Sequence, residues 1–277
     1  MDTAVYPVTV TSGTTTYANM GEPVINTRKS KIELIKKDPD GILGAGYVFG
    51  IYSDEACTEL LQTVTTDGTG TAFSDWLLPD KTYYVKEISL PEDDTIHAVS
   101  KEVFPLKLLP GEVGKVTVIN EFLPGQITVL KTSQEGQKLS GAKFLLEWSE
   151  DGQKWQKVVY NPDRVIKGSC SNEDLTDGCL VTASTGVITF TGLHPTLQYR
   201  ITEIEAPEGY VPITEPVYTG TLPPDTLELG FTVVNAKPFE LPQTGSKPMI
   251  LMPVSLLLCT ATCMGIFVYL RKKKKEA

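Results

Sequence analysis

Between residues 31 and 235, apolar and polar positions alternate with a period of two in short runs rich in Val, Ile, Thr and Tyr. Lys31-Ile32-Glu33-Leu34-Ile35, Thr82-Tyr83-Tyr84-Val85, Val116-Thr117-Val118-Ile119, Gln126-Ile127-Thr128-Val129-Leu130, Tyr199-Arg200-Ile201-Thr202 and Phe231-Thr232-Val233-Val234 each predict a strand with one buried face. Turn dipeptides separate such runs, at Asp40-Gly41, Asp67-Gly68, Glu135-Gly136, Asp151-Gly152 and Asp177-Gly178. No segment before residue 249 carries a long 3.6-residue apolar period. Short strands at regular spacing predict an all-β chain of antiparallel sandwiches, and residues 27 to 236 are enough for two.

The C-terminal end is different in kind. Met249 to Leu270 is a run of 22 residues without a charged side chain, followed directly by Arg271-Lys272-Lys273-Lys274-Lys275. About 20 apolar residues cross a bilayer core as a helix. The basic flank predicts a single C-terminal transmembrane helix whose end stays cytoplasmic, with the bulk of the chain outside. Met1-Asp2-Thr3-Ala4-Val5-Tyr6 has neither a basic nor an apolar stretch of the signal-peptide kind, so the chain is expected to be a fragment of a longer exported protein. The net charge of −9, despite the basic tail, argues against nucleic acid and for a solvated exterior. Of five cysteines, Cys259 and Cys263 lie in the apolar run and Cys57 stands alone. Cys170 and Cys179 flank a short polar loop and are the candidate pair for a disulfide outside the cell.

The chain repeats itself. Ile42-Leu43-Gly44-Ala45-Gly46-Tyr47-Val48-Phe49 is echoed by Gln137-Lys138-Leu139-Ser140-Gly141-Ala142-Lys143-Phe144, and Tyr83-Tyr84-Val85-Lys86-Glu87-Ile88 by Tyr199-Arg200-Ile201-Thr202-Glu203-Ile204. Val118-Ile119-Asn120 and Val233-Val234-Asn235 close the two units. The predicted units are residues 27–122 and 123–237, the second with an insertion around 154 to 180. Tyr6-Pro7-Val8-Thr9-Val10 and Pro23-Val24-Ile25-Asn26 look like closing strands too, so residues 1–26 are expected to be the remnant of a preceding domain.

In each unit a Lys on the first strand, a Glu in the middle and an Asn on the last strand recur in that order. Alternation puts Ile32, Leu34 and Lys36 on one face, and Val116, Val118 and Asn120 on one face. The matching sets are Ile127, Val129 and Lys131, and Val233 and Asn235. Polar groups in register with core positions call for an explanation, because buried Lys and Glu are rare unless paired. One chemistry accounts for all three. An apolar site lowers the Lys pKa and raises the Glu pKa, so neutral amine and neutral acid coexist. The amine is then a nucleophile toward the Asn carboxamide, while the Glu acid polarises the amide oxygen and shuttles protons as ammonia leaves. The expected products are the crosslinks Lys36–Asn120 and Lys131–Asn235, promoted by Glu87 and Glu203.

Lys36-Lys37-Asp38, Leu43-Gly44-Ala45, Tyr84-Val85-Lys86-Glu87 and Ile119-Asn120 together resemble the collagen-adhesin B-type (CnaB, SpaA-like pilin) domain. Tyr199-Arg200-Ile201-Thr202-Glu203-Ile204-Glu205-Ala206-Pro207-Glu208-Gly209-Tyr210 resembles the pilin E-box, with Glu203 at its acidic position. The first unit departs from that pattern at Ser89-Leu90-Pro91-Glu92-Asp93. The resemblance implies tandem prealbumin-like β-sandwiches, each with its Lys and Asn joined on adjacent strands.

Residues 238–277 complete the picture. Leu241-Pro242-Gln243-Thr244-Gly245, followed by the apolar span 249–270 and the basic tail, resembles the LPXTG cell-wall sorting signal. That resemblance implies cleavage by sortase after Thr244, transfer of the Thr244 carboxyl to a peptidoglycan amine or a pilin Lys, and a membrane-spanning precursor. The expected partners are sortase and peptidoglycan, with other pilin subunits or host extracellular matrix as further candidates. Neither a metal nor a cofactor is called for: His97 and His194 lie far apart in sequence without ligand spacing, and there is no phosphate-binding glycine loop. Trp76, Trp148 and Trp155 read as core or insertion packing. Three functions remain open at this level: a wall-anchored stalk supporting adhesion, a pilin subunit, or an adhesin whose domains bind host ligand themselves. The only self-directed reaction expected is the crosslinking, so the chain reads as a substrate and not as an enzyme.

Overall fold

The computed structural model describes residues 28–239. The first set of strands is β1 (Lys31–Lys37), β2 (Val48–Tyr52), β3 (Leu60–Thr65), β4 (Thr71–Phe73), β5 (Thr82–Ser89), β6 (Val103–Lys107) and β7 (Val113–Ile119). They form two sheets, in the orders β4-β1-β7 and β3-β2-β5-β6. The second set is β8 (Gly125–Ser133), β9 (Lys143–Ser149), β10 (Gln156–Lys157), β11 (Val159–Tyr160), β12 (Ser169–Cys170), β13 (Cys179–Val181), β14 (Val187–Leu193), β15 (Gln198–Glu205), β16 (Tyr218–Thr221) and β17 (Glu228–Asn235). Here the sheets are β14-β8-β17 and β10-β9-β15-β16, with β13 also on β9 and a small β11-β12 pair beside them.

Alternation becomes two cores. Ile32 and Leu34 of β1 pack with Phe49, Ile51, Val85 and Val118. Ile127 and Val129 of β8 pack with Phe144, Leu146, Phe190 and Ile201. The inward side chains on each strand are therefore held by the facing sheet, as in any two-layer sandwich. A tyrosine anchors each sandwich at the same place. Tyr83 donates to Leu78 O at 2.9 Å and Tyr199 to His194 O at 3.0 Å, each five residues back along the chain.

Two expectations need correction. Pairing is antiparallel between most neighbours, but the first and last strands of each unit, β1 with β7 and β8 with β17, run parallel. A period-two pattern is the same in either direction, so alternation alone does not separate the two. Trp76 lies outside the core, 61% exposed, with the Lys31 ammonium 4.7 Å above its ring. Trp148 packs against the second core and Trp155 lies under the Arg200 guanidinium.

Candidate functional site

The parallel strand pairs put Lys and Asn side by side at one end of each sandwich. Lys36 is opposite Val118, and Asn120 comes two residues later on the neighbouring strand. Lys131 is opposite Val233, and Asn235 again comes two residues later. Because parallel strands advance together, two residues on means the same face and the adjacent diagonal position. The facing sheet brings the acid: Glu87 on β5 pairs with Phe49, and Glu203 on β15 pairs with Phe144. All six groups are 3% exposed or less.

Contacts within the two sets match closely. Asn120 Nδ2 donates to Glu87 Oε1 at 3.0 Å and to Oε2 at 2.8 Å. Asn235 Nδ2 donates to Glu203 Oε2 at 2.9 Å and to Val211 O at 3.0 Å. A backbone N–H from the following loop holds each carboxylate, Ser100 on Glu87 at 2.6 Å and Ile213 on Glu203 at 3.1 Å. Lys36 Nζ donates to Lys37 O and Lys131 Nζ to Val233 O, both at 3.0 Å; Lys131 Nζ is also 3.8 Å from Glu203 Oε1. Asn120 Oδ1, Asn235 Oδ1 and Glu203 Oε1 are buried without a hydrogen-bond partner among the described residues. Burial depresses the pKa of both Lys36 and Lys131 and raises that of Glu87, since each would carry its charge away from water.

The sequence reading missed a glycine beside each Lys. Lys36 N–H donates to Gly70 O at 2.8 Å and Lys131 N–H to Gly186 O at 2.7 Å. Both glycines have positive φ, 67° and 68°. A Cβ on Gly70 would lie 2.9 Å from Lys36 O, and one on Gly186 2.8 Å from Lys131 O. Only a residue without a Cβ fits there. The available signal was a Gly shortly before an apolar strand in both units, in Gly68-Thr69-Gly70-Thr71 and Ser184-Thr185-Gly186-Val187.

The two histidines, distant in sequence, meet where the sandwiches touch. Phe122, just past β7, has its ring centroid 4.9 Å from that of His97 and 4.3 Å from that of His194. Asp40 of the first sandwich lies 3.4 Å from both His194 Nε2 and Lys167 Nζ of the second.

The disulfide weighed for Cys170 and Cys179 is not formed; both are free, buried thiols. The segment after Cys170 is tied to β14, through Ser171 N–H to Thr191 O and Asn172 Nδ2 to Thr189 O. Cys179 is paired with Leu145 of β9, in the other sheet. The remnant 1–26, the sorting motif Leu241-Pro242-Gln243-Thr244-Gly245 and the span 249–270 lie outside the described residues.

Two family models match the chain. Residues 125–235 match the SpaA prealbumin-like fold domain, and residues 233–277 match the LPXTG cell wall anchor motif. Similar solved structures include the Bacillus anthracis TIE protein, at 22% identity and a TM-score of 0.45 over 76% of this chain and 34% of that one. The chain thus spans about a third of the TIE protein. A streptococcal ancillary pilin matches at 24% identity and a TM-score of 0.33, over 86% of this chain and 72% of that one. The minor pilin GBS52 of Streptococcus agalactiae matches at 19% and 0.34, over 80% of this chain and all of that one. No curated protein matches the chain in sequence.

Proposed function

We propose that this protein, a Gram-positive cell-wall-anchored surface protein with an SpaA prealbumin-like domain, is a stalk whose two sandwiches are each locked by a Lys–Asn isopeptide bond. The observation that carries the reading is the twofold occurrence of a buried Lys and Asn at the same register of parallel first and last strands, each facing a buried Glu of the other sheet. Two independent units would not both bury three such costly groups in one geometry without a use for them.

In the proposed reaction the neutral Lys36 amine adds to Asn120 Cγ. The bond from Cγ to Nδ2 breaks, a proton passes from Nζ to Nδ2 by way of Glu87, and Nδ2 leaves as ammonia. Lys131, Glu203 and Asn235 follow the same course. The amide oxygen gains negative charge in the addition step, and a protonated Glu turned to it would stabilise that charge. Both Asn Oδ1 atoms are free of other partners, which leaves them open to that contact. Each bond would close nearly a whole sandwich between its terminal strands and hold it against pulling and proteolysis. Sortase would cleave between Thr244 and Gly245 and pass the Thr244 carboxyl to a peptidoglycan amine. Adhesion would be the task of whatever the stalk presents.

The test is the intact mass of purified residues 27 to 240 beside Glu87→Ala and Glu203→Ala. The parent is expected to be lighter than its sequence by two ammonias, and each variant to regain one. A parent of full sequence mass sinks the crosslink and leaves the anchor. A second reading, incorporation into a pilus, is favoured by the E-box-like stretch around Glu203. It requires a ladder of sortase-linked multimers on a denaturing gel of wall extracts, where the stalk reading expects a single wall-linked species.

A further inference from the structure

The two crosslink sites differ in what surrounds the lysine. Position 142 in the second sandwich is Ala, and its counterpart in the first is Tyr47, two residues before the Phe that pairs with the Glu in each case. The Lys36 ammonium lies 4.1 Å from the Tyr47 ring centroid. The Tyr47 hydroxyl donates to Asp94, and Asp94 is held in turn by His97 Nδ1 at 2.9 Å. Asp38, two residues beyond Lys36, accepts from Ile42 N–H at 2.8 Å and lies 3.9 Å from His97 Nε2. These groups line a cavity of about 430 Å³ that reaches Lys36 and takes in Pro224 of the second sandwich.

The charged and titratable groups around Lys36 and its cavity are thus Glu87 from β5, Asp93, Asp94 and His97 from the loop after it, Asp38 just past β1, and Tyr47 just before β2. Around Lys131 the charged form is favoured by Glu203 alone, 3.8 Å from Nζ. Burial is the largest influence on Lys36 and lowers its pKa, while Glu87, Asp94 and Asp38 each oppose that shift and favour the charged form. The π face of Tyr47 does the same. Tyr47 and His97 keep Asp94 itself ionised, its pKa below the usual carboxylate range.

We propose that Tyr47, Asp94 and Asp38 hold Lys36 back as an ammonium, so that the Lys36–Asn120 bond forms more slowly than the Lys131–Asn235 bond and with a steeper dependence on pH. Tyr47 and the two aspartates are positioning residues; the Asn120 side chain is hydrogen-bonded to Glu87 and to none of them. The inference rests on the isopeptide reading given above and adds an order of events to it. The second sandwich, nearer the wall anchor in sequence, locks first. The first locks as its lysine loses a proton to solvent through the cavity.

The experiment follows both bonds in one chain. Full-length protein is made by cell-free translation, quenched in denaturant at intervals and digested, and the two crosslinked peptide pairs are quantified by mass spectrometry at several pH values. The Lys131–Asn235 pair is expected to appear first. Lowering the pH by one unit should slow the other bond by up to about tenfold, the change in neutral amine per unit. Asp94→Asn should accelerate the Lys36–Asn120 bond several-fold and flatten its pH profile, leaving the other bond unchanged. Asp38→Asn, which keeps the acceptor for Ile42 N–H, should act in the same direction if Asp94→Asn fails to fold. Equal rates in the parent, or slowing in both variants, overturns the proposal and makes the aspartates proton acceptors or mere packing. If neither pair ever forms, the isopeptide reading itself has failed.

Discussion

Asn120 Nδ2 donates to both carboxylate oxygens of Glu87, at 3.0 and 2.8 Å, with both side chains buried. The carboxylate reaches across the sandwich from one sheet to the last strand of the other. It cannot do so by local folding, because 33 residues separate the two. A like bond, to one oxygen only, joins Asn235 Nδ2 to Glu203 Oε2. A stabilising role for such a pair would be weak at best, since both groups lose water to make it. Under the isopeptide proposal, the pair instead holds the Asn carboxamide beside the promoting acid.

Replacing Lys131 by Met should remove the second crosslink, because Met fills similar space and has no amine to form the bond. Closing a loop of about 100 residues contributes about 4–5 kcal/mol by the chain-entropy account. The expected outcome is a lower thermal midpoint for the second sandwich and faster digestion by a nonspecific protease, with the first sandwich unaffected. Unchanged midpoints would mean that Lys131 carries no covalent link.

Gly186→Ala should strain the frame around Lys131. The new Cβ meets Lys131 O at 2.8 Å, and φ stays at 68° only at a cost. Loss of about 1–3 kcal/mol is expected by denaturant unfolding. Gly41→Ala, also at positive φ but with open space around it, should cost less and is the control.

His194 is fully buried, and desolvation holds its pKa below the ordinary value. The unfolded chain therefore binds a proton that the native chain refuses. Stability from this group is present above about pH 6.5, the unfolded value. It is lost as pH falls from there through the lower folded value. Nearby Asp40 opposes the shift and Lys167 reinforces it. Urea midpoints measured across that range should decline less steeply for His194→Gln than for the parent.

Phe122→Ala removes the ring that lies between His97 and His194. A buried Phe truncated to Ala typically costs about 3–5 kcal/mol. Phe122 is 4% exposed, so a loss in that range is expected from denaturant unfolding. Limited proteolysis should then cut between residues 120 and 125, where the parent resists.

Cys170 and Cys179 should both react with an alkylating reagent once the chain is unfolded, without prior reduction. In the native state Cys57, the least buried of the three described cysteines, should be labelled first. A mass lower by two hydrogens, restored by reductant, would instead mean that a disulfide forms.

The strands were legible in the chain because a half-buried strand needs alternate apolar residues, and Ile32-Glu33-Leu34 or Ile127-Thr128-Val129 leave little choice of face. The same alternation, carried two residues further, marked Lys36, Lys131, Asn120 and Asn235 as inward-facing. The repeat marked Glu87 and Glu203. The sorting motif, apolar run and basic tail were likewise a matter of linear order. Direction was another matter. Nothing in a period of two says that β1 runs parallel to β7, and that choice alone decides whether Lys36 and Asn120 end side by side or at opposite ends of a sheet. Gly70 and Gly186 gained meaning only when a lysine carbonyl was found against each. His97 and His194 looked unrelated because nearly a hundred residues separate them, and only the packing of one sandwich on the other brings them to the two sides of Phe122. Local pattern follows from which side of a strand meets water. Contacts between distant residues depend on how whole sheets pair and stack, which no short stretch of sequence contains.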